Sequence, residues 1–160
     1  RTPRPSTRRS SRPAPLPGSP DVRALGLDLG TTGVGVAVCD TAGTVATPLE
    51  VLERSGDRRA DHRRVAALVE EWEADAIVVG VPYSLDGSVG PSARTCLAEI
   101  EQLGDTLDVP VVPYDERLTT VTAERSLMEQ QMNAKERRRV VDMVAASVIL
   151  QSWIDAGMPR

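Results

Sequence analysis

Four acidic positions carry the chemistry this sequence could perform. Asp28 stands in Leu25-Gly26-Leu27-Asp28-Leu29-Gly30-Thr31-Thr32-Gly33, an apolar run that glycines break directly after the carboxylate. A carboxylate inside such a run must be paired, hydrogen-bonded or metal-bound, because desolvating a free charge costs more than strand packing returns. The glycines let backbone or ligand approach without an intervening Cβ. An Asp at a strand end that points to water fits the same residues. Asp115 and Glu116 close a second apolar run, Val109–Tyr114. Asp142 opens a third pattern: with Ala145, Ala146, Ile149 and Trp153 it falls at i, i+3, i+4, i+7 and i+11. That puts it on the apolar stripe of a helix, or on the stripe's polar border beside Val140 and Val141. Three carboxylates gathered from separate elements (Asp28, Glu116 or Asp115, Asp142) cannot all stay ionised without a cation. All-oxygen donors suit Mg²⁺ or Mn²⁺ rather than zinc or a softer metal. Two such ions held about 4 Å apart recur in phosphodiester hydrolysis, where one activates water and the other stabilises the leaving oxygen.

The elements that must position these acids are legible from hydrophobic periodicity. Arg23–Leu29 and Val34–Asp40 read as two strands joined by the glycine turn, and Thr44–Leu52 as a third. Pro48 cannot donate to a ladder, which places the third strand on an edge or at a bulge. The three form an antiparallel meander. Asp57–Asp61 reads as a polar link, and His62–Glu73 as an amphipathic helix with Val65, Leu68, Val69 and Trp72 on one face. Ala76–Val81 and Val109–Tyr114 are continuous apolar strands of the kind buried on both faces. Between them a Gly/Pro/Ser/Asp loop (82–91) leads into a helix over about 92–103 with Leu97, Ile100 and Leu103 inward. Thr119 or Thr120 can cap a helix to about Glu129, with Glu124 placed for reciprocal capping. A final helix opens at Ala134 or Lys135 and runs to about Asp155, where Gly157 and Pro159 stop it. The order predicts an α/β fold: a mixed five-stranded sheet, a three-strand antiparallel meander plus parallel strands, flanked by helices. In such sheets ligands gather at the carboxyl ends of strands, where Asp28 and the Asp115-Glu116 pair lie.

Composition narrows the classes. The chain has 160 residues and a formal net charge of −4, enough for one domain with a real core. Residues 1–20 hold five arginines, six prolines and no acid, so the remainder carries fourteen basic against twenty-three acidic residues. Residues 1–22 read as a disordered basic Pro/Arg-rich tail, with a phosphate-binding arm as the functional reading, and 23–156 as the domain. Four aromatics are too few for a single-strand stacking platform. Cys39 and Cys96 match no zinc or redox spacing and read as small core residues in a reducing cytoplasm. No apolar run approaches the roughly 18 residues of a membrane span. His62, the single histidine, sits in a polar stretch and reads as a surface residue. Lys135-Glu136-Arg137-Arg138-Arg139 reads as a phosphate contact or as a solvated first turn; several cations there oppose the helix dipole.

The segments Gly26-Leu27-Asp28-Leu29-Gly30-Thr31, Gly35-Val36-Ala37-Val38, Ile77–Pro82, Asp86-Gly87-Ser88, Val111–Thr120 and Asp142-Met143-Val144-Ala145-Ala146 closely resemble the YqgF/RuvX family, in order from Arg23 to Asp155. Its members are Holliday-junction resolvases and pre-16S rRNA nucleases with the RNase H fold. The resemblance implies Asp28, Glu116 and Asp142 as catalytic, metal-binding acids, with Asp115 the fallback for the middle one, and a two-metal Mg²⁺ or Mn²⁺ site. It implies nucleic-acid contacts at Arg117, Thr119, Thr120, Lys135, Arg137 and Arg138. The implied role is cytoplasmic, cleaving the 5′ end of the 16S precursor. The alternatives are a Holliday-junction resolvase acting on branched DNA, which needs a homodimer, and a non-catalytic nucleic-acid-binding module. Where the family carries a basic residue and Arg after the first Gly-Thr, this chain has Thr32-Gly33, and Tyr83-Ser84 replaces a Leu-Asn pair. The Asp-Leu-Gly-Thr-Thr-Gly turn also resembles the phosphate loop of actin-like ATPases and sugar kinases, which need a second such domain.

Overall fold

The computed structural model describes residues 22–120, 130 and 133–159. In chain order it contains β1 (Ala24–Leu29), β2 (Gly33–Cys39), β3 (Ala46–Glu53), α1 (Arg58–Glu71), β4 (Ala76–Val81), α2 (Pro91–Thr106), β5 (Val111–Asp115), a 3₁₀ turn (Glu116–Leu118) and α3 (Ala134–Asp155). The strands form one five-stranded sheet in the order β3-β2-β1-β4-β5. β1–β2 and β2–β3 are antiparallel, while β1–β4 and β4–β5 are parallel. This is the expected mixed sheet. Pro48 lies on the edge strand β3, at a register slip where Val36 faces Glu50 and Ala37 faces Pro48; both sheet positions that tolerate a missing N–H coincide there.

Side-chain alternation sorts the sheet into two faces. Leu25, Leu27, Val36, Ile77 and Val79 pack against Val65, Leu68 and Val69 of α1 and Ile100 and Leu103 of α2. The other face, with Ala24, Ala37, Cys39, Val78 and Tyr114, packs against Ala145, Ala146, Ile149, Leu150 and Trp153 of α3. Alternation from Ala24 through Gly26 puts Asp28 on the α3 side. Small residues on that face let α3 sit close. A Cβ at Gly26 would stand 2.7 Å from the Ala146 carbonyl oxygen, and one at Gly35 would overlap the Asp142 backbone. Asn133 starts α3 by accepting from Glu136 N (3.1 Å) while its amide donates to Glu136 Oε2 (2.9 Å), a reciprocal cap. Farther along, Gln151 accepts from Ala46 N (2.8 Å) and donates to Thr44 O (3.0 Å), and Tyr114 Oη meets Ser152 Oγ at 2.9 Å. These contacts fix the helix's rotation over the sheet.

The α1 boundary differs from the sequence reading. Asp57 caps the helix by accepting from Arg59 N and Ala60 N, so 57–61 is a cap and first turn rather than a link. The stripe therefore extends a turn back to bury Asp61 and His62, while Trp72 ends the helix at 37% exposure. Cys39 and Cys96 are buried and free. The helix expected from Thr119 or Thr120 to Glu129, with its Glu124, lies outside the described residues beyond Thr120, as does the basic tail before Val22. Thr119 closes the 3₁₀ turn, its N–H donating to Glu116 O. Among the described residues no helix is long and apolar enough to cross a membrane.

Candidate active site

Asp28 is the penultimate residue of β1 and is 4% exposed. Its partner across β2 is Gly35, and on the parallel side Val79 pairs with Leu27, so Gly80 flanks it on β4. The Glu116 side chain lies over that second glycine, with Oε1 3.0 Å from where a Cβ would stand. Asp142 reaches in from α3: its Oδ2 lies 3.7 Å from the Cβ positions of both Gly30 and Gly33, above the β1–β2 turn. All three carboxylates line one cleft of about 1110 Å³, together with Gly30, Gly80, Cys96, Arg137 and Val141. Glycine on both strands beside Asp28 is what leaves room for side chains from a turn and a helix to converge over β1.

The cleft is electronegative. Burial, and then the fields of Glu116, Glu99 and Asp28, push the Cys96 thiol up to about 12. The three carboxylates supply oxygen donors over a glycine-lined floor, the chemistry a hard divalent cation takes. Among the described residues no three acidic, His or Cys side chains stand as a ready-made metal cage. The donors fit such an ion in chemical kind.

Asp115 goes elsewhere. Its carboxylate accepts from Arg117 Nε (3.1 Å to each oxygen) and from the Arg117 terminal nitrogen (2.7 Å). The Arg117 hydrogen bonds hold it below the usual carboxylate range, and it does not line the cleft. Arg117 also donates to Leu85 O (3.4 Å) and lies 5.9 Å from the centre of the Tyr83 ring, so it braces the loop between β4 and α2. Thr119 Oγ1 donates to Glu116 O, and Thr120 is exposed. Of the basic residues expected on α3, Arg137 lines the cleft, and Lys135 and Arg138 lie on the same opening turns.

The other end of the cleft holds a polar group that the sequence reading missed. His62, expected at the surface, is 4% exposed and places Nε2 2.9 Å from Glu99 Oε1. His62 stands three residues before Val65 and seven before Val69, which puts it on the buried face of α1. Glu99, 2% exposed, also receives both terminal nitrogens of Arg54, at 2.6 and 2.9 Å. Burial pushes the Glu99 carboxyl up, but the hydrogen bonds from Arg54 and His62 outweigh it and hold the group below the ordinary glutamate value. A signal was present: Glu99 lies three residues after Cys96 and four before Leu103, on the apolar stripe of α2, as Asp142 does on α3.

Comparison with known proteins identifies the family and the fold. The family model described as RuvX, Holliday junction resolvase, matches residues 22–156. A protein of Anaeromyxobacter sp. named as a candidate pre-16S rRNA nuclease is 47% identical over 134 residues, 84% of this chain and 97% of that one. A Bacillus thuringiensis protein of the same name is 40% identical over 136 residues, 84% of this chain and 99% of that one. Among solved structures, Thermus thermophilus RuvC in complex with a Holliday junction substrate superposes with a TM-score of 0.54 at 18% identity, covering 86% of this chain and 97% of that one; the two share the RNase H-like fold. By sequence over nearly the whole described domain and by architecture, the chain belongs to the RuvX family of Holliday junction resolvase-like nucleases.

Proposed function

We propose that this protein is a divalent-metal-dependent endonuclease that hydrolyses a phosphodiester of structured RNA, the 5′ end of the 16S rRNA precursor, in the cytoplasm. The observation that carries the reading is the convergence of Asp28, Glu116 and Asp142 from a strand end, a 3₁₀ turn and a helix onto one cleft. Asp28, Glu116 and Asp142 would hold the metal. When bound, Mg²⁺ or Mn²⁺ lowers the pKa of the attacking water and stabilises charge on the leaving oxygen. The chain's own residues do the rest. Asp28, fixed by pairing on both sides of β1, sets the position of the site. Glu116 and Asp142 close over it from opposite directions. Arg137, on the cleft wall, draws the phosphate toward the acids against their repulsion. A polyanion cannot approach three carboxylates unless cations neutralise them, which is itself an argument for metal dependence.

The substrate assignment is supported by the names of the relatives at 47% and 40% identity. The family description and the RuvC likeness favour a second reading, resolution of four-way DNA junctions. That activity places two sites on opposed strands and requires a homodimer. One assay separates the readings. Purified protein with Mg²⁺ or Mn²⁺ is given a 16S-precursor leader RNA and a four-way DNA junction, with Asp28→Asn as control. RNA cleavage abolished in the variant supports rRNA processing, and symmetric junction cleavage by a dimer moves the assignment to recombination. No cleavage above the variant's background of either substrate leaves a non-catalytic binding module.

A further inference from the structure

Resting on the nuclease reading above, we propose that Arg54 is a positioning residue that fixes the β1–β2 turn beneath the acids, and that Glu99 holds it in place. Arg54 follows β3 directly, and it ties the turn at two points. Its backbone N–H donates to Thr32 O (2.9 Å) and its Nε to Gly30 O (3.0 Å). Gly30 is also where the chain leaves Asp28: its N–H donates to Asp28 O (3.1 Å) and to Gly33 O (3.0 Å). Asp142 Oδ2 sits above the same two glycines. Displacing Gly30 therefore shifts Asp28 and the seat of Asp142 together.

The remaining two nitrogens of the guanidinium go to Glu99, so the planar fork is held from one side while its Nε meets the turn from the other. Arg54 is 16% exposed and Glu99 3% exposed at the side chain. Burying such a pair is no efficient way to gain stability, since well-packed apolar residues of similar volume do as well or better. Its return here is orientation. Arg54 supplies a guanidinium to the β1–β2 turn from the end of the neighbouring strand β3.

The test separates bracing from stability. Arg54→Lys keeps a cation for Glu99, but a single ammonium cannot span Gly30 O and both carboxylate oxygens. It should keep a near-normal Tm while kcat falls about tenfold to a hundredfold and substrate KM stays within about twofold. The Mn²⁺ concentration for half-maximal calorimetric binding should rise alongside. Arg54→Met should lose kcat at least as far. Val65→Ala, a core truncation on α1, should lower Tm and leave kcat unchanged. Wild-type kcat and Mn²⁺ binding in Arg54→Lys would overturn the proposal while leaving the nuclease reading intact. A wild-type protein that neither cuts nor binds Mn²⁺ would overturn both.

Discussion

Asp28 and Asp115 both stand at the ends of strands of the same sheet, in different surroundings. Asp28 opens on the cleft beside Glu116 and Asp142, while Asp115 is held by Arg117 outside it. Asp28→Asn or Glu116→Gln should therefore cut metal-dependent cleavage by about 10²-fold or more, and Asp115→Asn by less than about tenfold. Single-turnover rates on one RNA check this, and a larger loss in Asp115→Asn than in Glu116→Gln would exchange their roles. Glu99 makes a second residue-scale case. Its folded-state titration lies below the unfolded value because Arg54 and His62 outweigh burial. The stability it lends is then whole above pH about 4.3 and is lost as pH falls through the lower folded value. Glu99→Gln should cost about 3 kcal/mol at neutral pH by leaving Arg54 without its buried counter-charge. Urea unfolding at several pH values should find the gap between wild type and variant closing below about pH 4. A gap constant with pH would mean that the carboxylate gains nothing from its partners.

α3 carries Asp142 at a height set by glycine. A methyl at Gly35 would overlap the Asp142 backbone, so Gly35→Ala must lift the helix or twist β2, at about 1–3 kcal/mol. Cleavage should fall further than that loss of stability explains, because Asp142 moves with the helix; circular dichroism melting and single-turnover rates read the two separately. Most of this arrangement was legible in the sequence. The apolar run around Asp28 and the stripe through Ala145, Ala146 and Ile149 prescribe a strand and a helix that meet on small residues. Pro48 restricts its strand to an edge or a bulge, and both occur there. What escaped was the backward reach of the buried stripe of α1 and long-range pairing. Asp57 starts α1 about one turn before the expected boundary, and His62, three residues before Val65 on the same face, is interior despite its polar neighbours in sequence. Glu99 could be placed on the α2 stripe by counting, but its partner Arg54 lies 45 residues away, and no local pattern connects a strand's end to a helix packed across the sheet. The middle acid stayed open between Asp115 and Glu116 for a related reason: adjacent residues at a strand end diverge in direction, and only the 3₁₀ turn decides which one faces β1.

At the scale of the whole molecule, charge is distributed against the proposed substrate. The chain after residue 20 has nine more acidic than basic residues, while residues 1–20 carry five arginines and no acid. On the proposed reading a polyanionic RNA would meet net repulsion from the domain, relieved locally by Arg137 on the cleft and by any divalent cation the carboxylates would hold. Basic residues outside the domain add an attraction that needs no shape, only released counterions. Removing residues 1–21 should consequently weaken RNA binding at low salt. It should also flatten the dependence of log K on log salt, by about 0.7 for each phosphate of single-stranded RNA that the arginines would otherwise neutralise. At saturating RNA the truncated chain should keep the wild-type kcat, because all three acids and the Arg54 brace lie between residues 28 and 142. Fluorescence anisotropy across a salt series gives the slope and single-turnover cleavage gives the rate. An unchanged slope would mean that the five arginines touch no phosphate, and the attraction would then rest on the cleft alone. A reduced rate at saturation would instead make those arginines part of how the scissile bond is presented to Asp28.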